Sequence, residues 1–291
     1  MNTARSLVLE AEARFDSAGL VFGHGTACAR DEAVFLVFHA LGLPFDVDDA
    51  RLDAPLSPEA VAAVEALVYR RIEARIPAAY LTGRMWFAGE EFEVTQDVLV
   101  PRSPFAELIL KRFAPWLAQS PARALEIGTG SGCIAAALAL AFPECEVLAT
   151  EISPSALALA RRNLARLGLP QTRVRPLKAD LYPSPDTGAF DLIVSNPPYV
   201  PDAEVDALPP EYHHEPVGGL KGGADGMDLV ARILEGAARR LTPDGALVLE
   251  VGHYAEEFEA RFPTLQFSWL PLENGGEGLL WVDREALAAL G

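Results

Sequence analysis

Phe190-Asp191-Leu192-Ile193-Val194-Ser195-Asn196-Pro197-Pro198-Tyr199 is the stretch from which the rest of the chain can be read. The unbroken apolar core of its first half reads as a strand buried on both faces, as in a parallel sheet. Two consecutive prolines end that strand, because neither has an N–H to give to a ladder. Asn196 to Tyr199 therefore sit just past the carboxyl end of a strand, the edge at which open α/β sheets bind ligands. The asparagine side chain offers a carbonyl oxygen, and the prolines hold the neighbouring backbone extended, so its carbonyls are not spent on a helix. Two such oxygens can accept both hydrogens of a planar primary amide or amine, while Tyr199 adds an aromatic face for stacking or for attracting a cation. Alone, Asn-Pro-Pro reads equally well as an ordinary strand-end turn; its flanks decide between the two.

Strands and helices alternate around this stretch from Ala122 onward, which predicts a parallel sheet covered on both faces. Ala124–Ile127 is the first strand, and Gly128-Thr129-Gly130-Ser131-Gly132 turns into a helix over Cys133–Phe142. Glu146–Glu151 is the second strand, Pro154–Leu167 a helix, Thr172–Leu177 the third strand and Phe190–Ser195 the fourth. A polar, Pro/Gly-rich loop from Val200 to about Asp225 is long for a connection, and loops of that length are either functional or disordered. The pattern then gives a helix over Met227–Leu241, a Thr242-Pro243-Asp244-Gly245 turn, a strand over Ala246–Val251, and a terminal antiparallel pair over Gln266–Leu270 and Gly278–Val282. Upstream, helical periodicity runs from Leu7 to about Ala74 through Leu7/Leu9/Ala11, Ala33/Val34/Val37/Phe38/Leu41 and Val61/Val64/Leu67/Val68/Ile72, with Ser57-Pro58 starting the last helix. Arg84–Phe87 and Glu91–Val94 read as a hairpin. The expected organisation is a helical substrate-recognition domain over 1–83, a hairpin linker over 84–104 and a doubly wound α/β domain over 105–291.

The net charge of −17, from 24 Lys+Arg against 41 Asp+Glu, argues against duplex DNA or RNA as a partner, because phosphate neutralisation supplies most of that affinity. It suits a basic protein partner. Cys28, Cys133 and Cys145 have neither disulfide-framework nor metal-ligand spacing, so no metal and a reducing, cytoplasmic setting are expected. The N-terminal stretch leads into an amphipathic pattern and is not expected to be a secretory signal, and no apolar run of the sequence approaches membrane-spanning length. Gly23-His24-Gly25-Thr26 is an exposed-looking loop that fits either a partner contact or a tight interhelical turn, and Arg70-Arg71 and Arg161-Arg162 read as solvated faces or RNA contacts.

Three glycines at alternate positions between the first strand and first helix let the backbone turn tightly and approach a ligand. Their spacing is not that of a dinucleotide binder, and no lysine for a triphosphate is present. Glu151 ends the second strand where a ribose needs a bidentate acceptor. Asp180 ends the third, where a carboxylate can accept from an adenine amine. Together with Asn196 these point to a nucleoside lacking a pyrophosphate.

Glu126-x-Gly-x-Gly-x-Gly132, Glu151, Asp180 and Asn196-Pro-Pro-Tyr199 resemble the S-adenosylmethionine-dependent methyltransferases that modify planar amide or exocyclic amine nitrogens. Phe22-Gly-His-Gly-Thr26, Asp31-Glu-Ala-Val34, Arg75-Ile-Pro77, Ala79-Tyr-Leu-Thr82, Leu99-Val-Pro-Arg-Ser-Pro104, Gly130-Ser-Gly-Cys-Ile134 and Glu215-Pro216 extend the resemblance to the protein-glutamine methyltransferase family. The nearer likeness is to its branch acting on the third large-subunit ribosomal protein, in free form or in a pre-ribosomal particle. The resemblance implies a seven-stranded Rossmann-like methyltransferase sheet with an antiparallel terminal strand, and S-adenosyl-L-methionine as cofactor. It places Gly128, Gly130 and Gly132 at the methionine part, Glu151 at the ribose and Asp180 at the adenine, with Glu126, Thr129, Ile152, Leu181 and Asn196 in the same cofactor set. Leu181 and Tyr182 are the candidates to cover the adenine. Asn196, Pro197, Pro198 and Tyr199 form the substrate set, with Asn196, Pro197 and Tyr199 catalytic.

Arg102, Ser103 and Glu107 lie where the family has a cofactor-proximal lid, and equally read as a linker and helix cap. Glu126 stands where much of the superfamily has aspartate. The release-factor branch shares the sheet and the Asn-Pro-Pro-Tyr motif but resembles this chain less around Gly23–Thr26 and Arg102-Ser103-Pro104. An adenine-specific nucleic-acid methyltransferase is the rival in another enzyme class, opposed by the acidic charge. A ribosome-assembly factor holding the cofactor structurally is the non-catalytic rival, opposed by the intact Asn196 motif.

Overall fold

The computed structural model describes residues 2–290, which divide into two compact units. The first runs to Met85 and also takes in Val94–Gln96 and Leu208–His214; the second holds the remainder.

The first unit is built of helices α1 (Ala4–Ser17), α2 (Ala29–Leu41), α3 (Asp49–Leu52), α4 (Pro58–Glu73) and α5 (Ala78–Thr82). A reciprocal cap starts α1: Thr3 Oγ1 accepts from the Ser6 N–H at 3.1 Å, and Ser6 Oγ accepts from the Thr3 N–H at 3.0 Å. Ser57 Oγ caps α4 through the Ala60 N–H, with Pro58 in the first turn, as its sequence indicates. Leu7, Val8, Ala11 and Phe15 of α1 are buried with Leu36 and Val37 of α2 and Val64 and Val68 of α4. Leu9 does not belong to that face and is 52% exposed, because residues two apart on a helix point in different directions.

Two polar residues that look exposed in the sequence are buried. Arg71 is not on a solvated face: it is 1% exposed, between the carboxylates of Glu32 and Glu211. His24 is 2% exposed, its ring 4.4 Å from that of Tyr212, and a Cβ on Gly25 would lie 2.1 Å from Met85 Cε. The Gly23–Thr26 loop is a packed turn closed by the Gly23 N–H on the Thr26 carbonyl at 2.8 Å.

The chain continues through the two-stranded hairpin β1 (Arg84–Phe87) and β2 (Glu90–Glu93) and then α6 (Phe105–Leu110). Beyond it follow β3 (Arg123–Ile127), α7 (Cys133–Ala141), β4 (Glu146–Glu151), α8 (Pro154–Arg166), β5 (Val174–Lys178), β6 (Phe190–Ser195), α9 (Asp202–Val205), α10 (Asp228–Ala237), β7 (Leu241–Glu250), α11 (Ala255–Arg261), β8 (Ser268–Trp269), β9 (Leu279–Asp283) and α12 (Arg284–Leu290). The sheet order is β5-β4-β3-β6-β7-β9-β8, with β3 to β7 mutually parallel and β9 antiparallel to both β7 and β8. This is the expected seven-stranded doubly wound sheet. The chain leaves β3 first towards β4 and β5 and then returns to β6 on its other side, so the topological switch point lies between β3 and β6.

Leu125 and Ile127 of β3, Leu192 to Val194 of β6 and Leu247 to Leu249 of β7 are at most 1% exposed, as a sheet covered on both faces requires. The α10 helix stops at Ala237, earlier than its periodicity suggests, and β7 starts at Leu241, which already pairs with Phe190. Thr242–Gly245 is consequently an irregularity within a strand rather than a turn leading to one. The 200–225 segment also has structure: α9 and short 3-10 turns at Pro210–His214 and Val217–Gly219. No helix among the described residues is long and apolar enough to cross a membrane, and the three cysteines are free.

Candidate active site

Three of the predicted features meet where β3 turns into α7. Gly128 and Gly130 take φ of +76° and +53°, and a Cβ on either would meet nothing within 4 Å, so both present bare backbone to open space. Gly132 also has positive φ, but its free side is filled by Ala160, to whose Cβ an added Cβ would stand at 3.2 Å. It packs α7 against α8. Glu126 and Thr129 turn inward: the Thr129 hydroxyl donates to Glu126 Oε2 at 2.5 Å, and the two residues are 1% and 3% exposed.

Burial pushes the Glu126 carboxyl up to about 8 against that hydrogen bond. The folded state thus keeps a proton that the unfolded chain releases above the ordinary carboxylate range. Stability should fall as pH rises towards 8, by up to about 1.4 kcal/mol per pH unit. Glu126→Gln should flatten this slope in urea unfolding at pH 6 and pH 8; an unchanged slope would assign it to other groups.

A cavity of about 520 Å³ opens at the carboxyl ends of β3, β4, β5 and β6, within the range of small-molecule sites. Gly128, Gly130, Glu151, Ile152, Asp180, Leu181, Asn196 and Pro198 line it, joined by Val98 and Leu99 from the segment before α6, by Pro216, Gly218 and Gly219, and by Leu229 and Arg232 of α10. Glu151 is 8% exposed; its Oε2 accepts from the Gly130 N–H at 2.9 Å and its Oε1 from the Ser153 N–H at 2.8 Å. Both bonds fix the carboxylate while leaving each oxygen a further lone pair. Ile152 is 62% exposed at the rim. Asp180 pairs with Arg232 at 2.8 Å, both half-exposed, an arrangement weak enough for a ligand to displace. Leu181 holds φ +61°, costly for a leucine, with its carbonyl accepting from Thr150 Oγ1 at 2.6 Å. Among the described residues no group of His, Cys, Asp and Glu could hold a metal.

Of the predicted cofactor residues, Glu126, Thr129 and Gly132 do not line this cavity and instead shape its floor. Tyr182 does not line it either: its hydroxyl donates to the Ile233 carbonyl, and its ring fills the space a Cβ on Gly236 would occupy. The adenine-covering expectation for Tyr182 is therefore corrected.

Asn196 stands half-buried at the cavity wall, its side-chain amide without a hydrogen-bond partner among the described residues. Pro197 is buried behind it, and the Tyr199 hydroxyl donates to Glu250 Oε1 at 3.2 Å. Two glycines press on this turn: a Cβ on Gly222 would lie 2.8 Å from the Pro198 carbonyl oxygen, and one on Gly226 2.2 Å from that of Tyr199. The Pro/Gly-rich loop is thus the cradle of the Asn196–Tyr199 turn.

The lid expectation for Arg102, Ser103 and Glu107 gives way to anchoring. Arg102 grips Glu215 with both terminal nitrogens, and Ser103 Oγ donates to Glu250 Oε2. Glu107 accepts from the Glu273 and Asn274 N–H groups at 2.8 and 2.9 Å; with Lys111 as the largest contributor these bonds hold it down at about 2. Glu250 escaped the reading of the sequence, although an acid at the end of the strand beside Asn196 continues the series Glu151, Asp180.

The strand order, with its cavity at the carboxyl edge, is that of the Rossmann-like methyltransferase fold. A family model described as "Methyltransferase small domain" matches residues 106–208. The catalytic domain of hMettl16, solved with an RNA hairpin of the MAT2A 3'UTR, aligns with a TM-score of 0.52 at 16% identity over 77% of this chain and 79% of that one, a likeness of fold alone. Curated relatives named ribosomal protein uL3 glutamine methyltransferase match nearly end to end. That of Bordetella pertussis is 47% identical over 99% of this chain and 97% of its own length, and that of Xanthomonas campestris pv. campestris 44% over 99% and 94%. The chain belongs to the family of ribosomal protein uL3 glutamine methyltransferases.

Proposed function

We propose that this chain transfers a methyl group from S-adenosylmethionine to a glutamine side-chain amide of uL3, the third large-subunit ribosomal protein. The supporting observation is that one cavity brings the uncommitted Asn196 amide beside the bare backbone of Gly128 and Gly130 and the oriented carboxylate of Glu151.

That cavity fits the cofactor: the two glycines leave room for a close approach, Glu151 keeps lone pairs for two ribose hydroxyls, Ile152 and Leu181 offer apolar cover, and Asp180 can accept from an amine. When bound, S-adenosylmethionine supplies an electrophilic methyl. The protein's own work is on the amide. Asn196 Oδ1 and the Pro197 carbonyl accept the two hydrogens of the glutamine amide, which orients the nitrogen and raises its electron density. Pro198 adds to the cavity wall, and Tyr199 packs on the amide plane. No strong base is needed, since the nitrogen sheds a proton readily once alkylated.

In this reading the helical domain, 1–83, recognises the substrate, 84–104 is the linker and 105–291 carries the chemistry. The net charge of −17 suits a basic ribosomal protein, and three free cysteines suit a reducing, cytoplasmic setting. The test is transfer of labelled methyl to purified uL3, to assembling large-subunit particles, to a release factor and to duplex DNA. Label on a uL3 glutamine, free or in particles, is expected; label confined to the release factor or to DNA would overturn the substrate assignment.

A further inference from the structure

Glu250 is a buried acid that the mechanism above does not use. It closes β7, and the register pairing Ser195 with Leu249 sets it next to Asn196 at the carboxyl edge of the sheet. Only 4% of it is exposed, and it does not line the cavity. Its two oxygens are shared between two segments: Oε1 accepts from the Tyr199 hydroxyl at 3.2 Å, and Oε2 accepts from Ser103 Oγ. Ser103 in turn accepts the Phe105 N–H at 3.1 Å at the start of α6, a few residues past Val98 and Leu99 of the cavity wall.

A carboxylate in this place is costly. Burial pushes it up to about 7, with the bonds from Ser103 and Tyr199 and the charge of Arg102 acting against that rise. What offsets that cost is the pair of hydrogen bonds it accepts. The Tyr199 ring has little other freedom: a Cβ on Gly252 would stand 2.9 to 3.0 Å from its Cε2, Cζ and Oη, and Gly222 and Gly226 press on the turn's backbone. Glu250 holds the hydroxyl end of the ring in that slot.

Resting on the reading of Asn196–Tyr199 as the substrate turn, we propose that Glu250 is its positioning residue: by accepting from Tyr199 and Ser103 together, it fixes the Tyr199 ring and ties the turn to the segment walling the cavity. It touches neither substrate nor cofactor and acts through Tyr199.

Glu250→Ala should lower kcat for uL3 about 10²-fold, the scale of an ångström-sized misplacement, with the Kd for S-adenosylmethionine nearly unchanged. Glu250→Gln keeps the shape and an acceptor for Tyr199 and should restore most of kcat. Tyr199→Phe removes the same bond without a cavity, and adding Glu250→Ala to it should cost much less than on the wild type. An independent readout needs no substrate: with 3-fluorotyrosine incorporated and the Tyr199 resonance assigned through Tyr199→Phe, Glu250→Ala should shift and broaden that resonance, while Glu250→Gln should not.

An unchanged Tyr199 resonance in Glu250→Ala, or wild-type kcat in that variant, overturns the proposal. Weakened cofactor binding with kcat intact at saturation overturns it as well. If the wild type transfers no methyl to uL3, the substrate assignment fails, and the fluorine spectrum still decides whether Glu250 positions Tyr199.

Discussion

Asn196→Ala is expected to lower kcat for methyl transfer to uL3 by about 10²–10³-fold, the loss typical of removing one preorganised hydrogen-bonding group aimed at a reacting centre. The side chain contributes an oxygen at the cavity wall that no neighbouring group already uses, so its loss leaves the amide nitrogen held from one side only. The fold should tolerate the change, since Asn196 is half-buried and the turn is fixed by Pro197, Pro198 and the glycine cradle. Calorimetric titration with S-adenosylmethionine and single-turnover kinetics with uL3 separate the effects. A near-normal Kd with a slow transfer step is the expected pair. Equal losses in both would make Asn196 chiefly a cofactor contact, and a normal transfer rate would remove it from the mechanism.

What could be read in the sequence was what chain-local physics decides. A branched apolar run stopped by two prolines has few structural solutions, and it located the sheet edge and the turn. Glycines at alternate positions after a strand, with acids closing the next two strands, located the cavity. Contacts decided by distant residues were not legible in this way. Ser103 and Glu250 are 147 positions apart, Arg71 and Glu211 140, and no local pattern distinguishes those charges from solvated ones. Tyr182 was misread for a conformational reason: Leu181 at φ +61° breaks the local geometry, so adjacent side chains part, one to the cavity and the other to α10. Thr242–Gly245 has the chemistry of a turn, yet pairing of Leu241 with Phe190 places it inside a strand.

The largest stability effect is expected at Arg71. Its guanidinium donates to Glu32 Oε1 at 3.0 Å, Glu211 Oε1 at 3.3 Å and the Val21 carbonyl at 3.0 Å, and Arg71, Glu32 and Glu211 are each at most 1% exposed as residues. Burial raises the Glu32 carboxyl in spite of Arg71. At Glu211 burial also opposes ionisation, but bonds from backbone N–H groups, Val21 first, and from Arg71 outweigh it and hold the group low. The second oxygen of each carboxylate is buried without a hydrogen bond, so the arginine carries much of their compensation. Arg71→Met should therefore cost about 3–5 kcal/mol, the usual penalty for stranding buried charge. Arg71→Lys should recover only part, because an ammonium cannot reproduce the planar fork. Adding Glu32→Gln and Glu211→Gln to Arg71→Met should restore much of the loss by removing the stranded charges, a recovery that a simple packing defect would not show. All four tryptophans, Trp86, Trp116, Trp269 and Trp281, belong to the other unit, so the transition must be followed by far-ultraviolet circular dichroism. A urea midpoint for Arg71→Met indistinguishable from that of the wild type would mean that the network is solvated in solution and that the helical unit is held by its apolar faces alone.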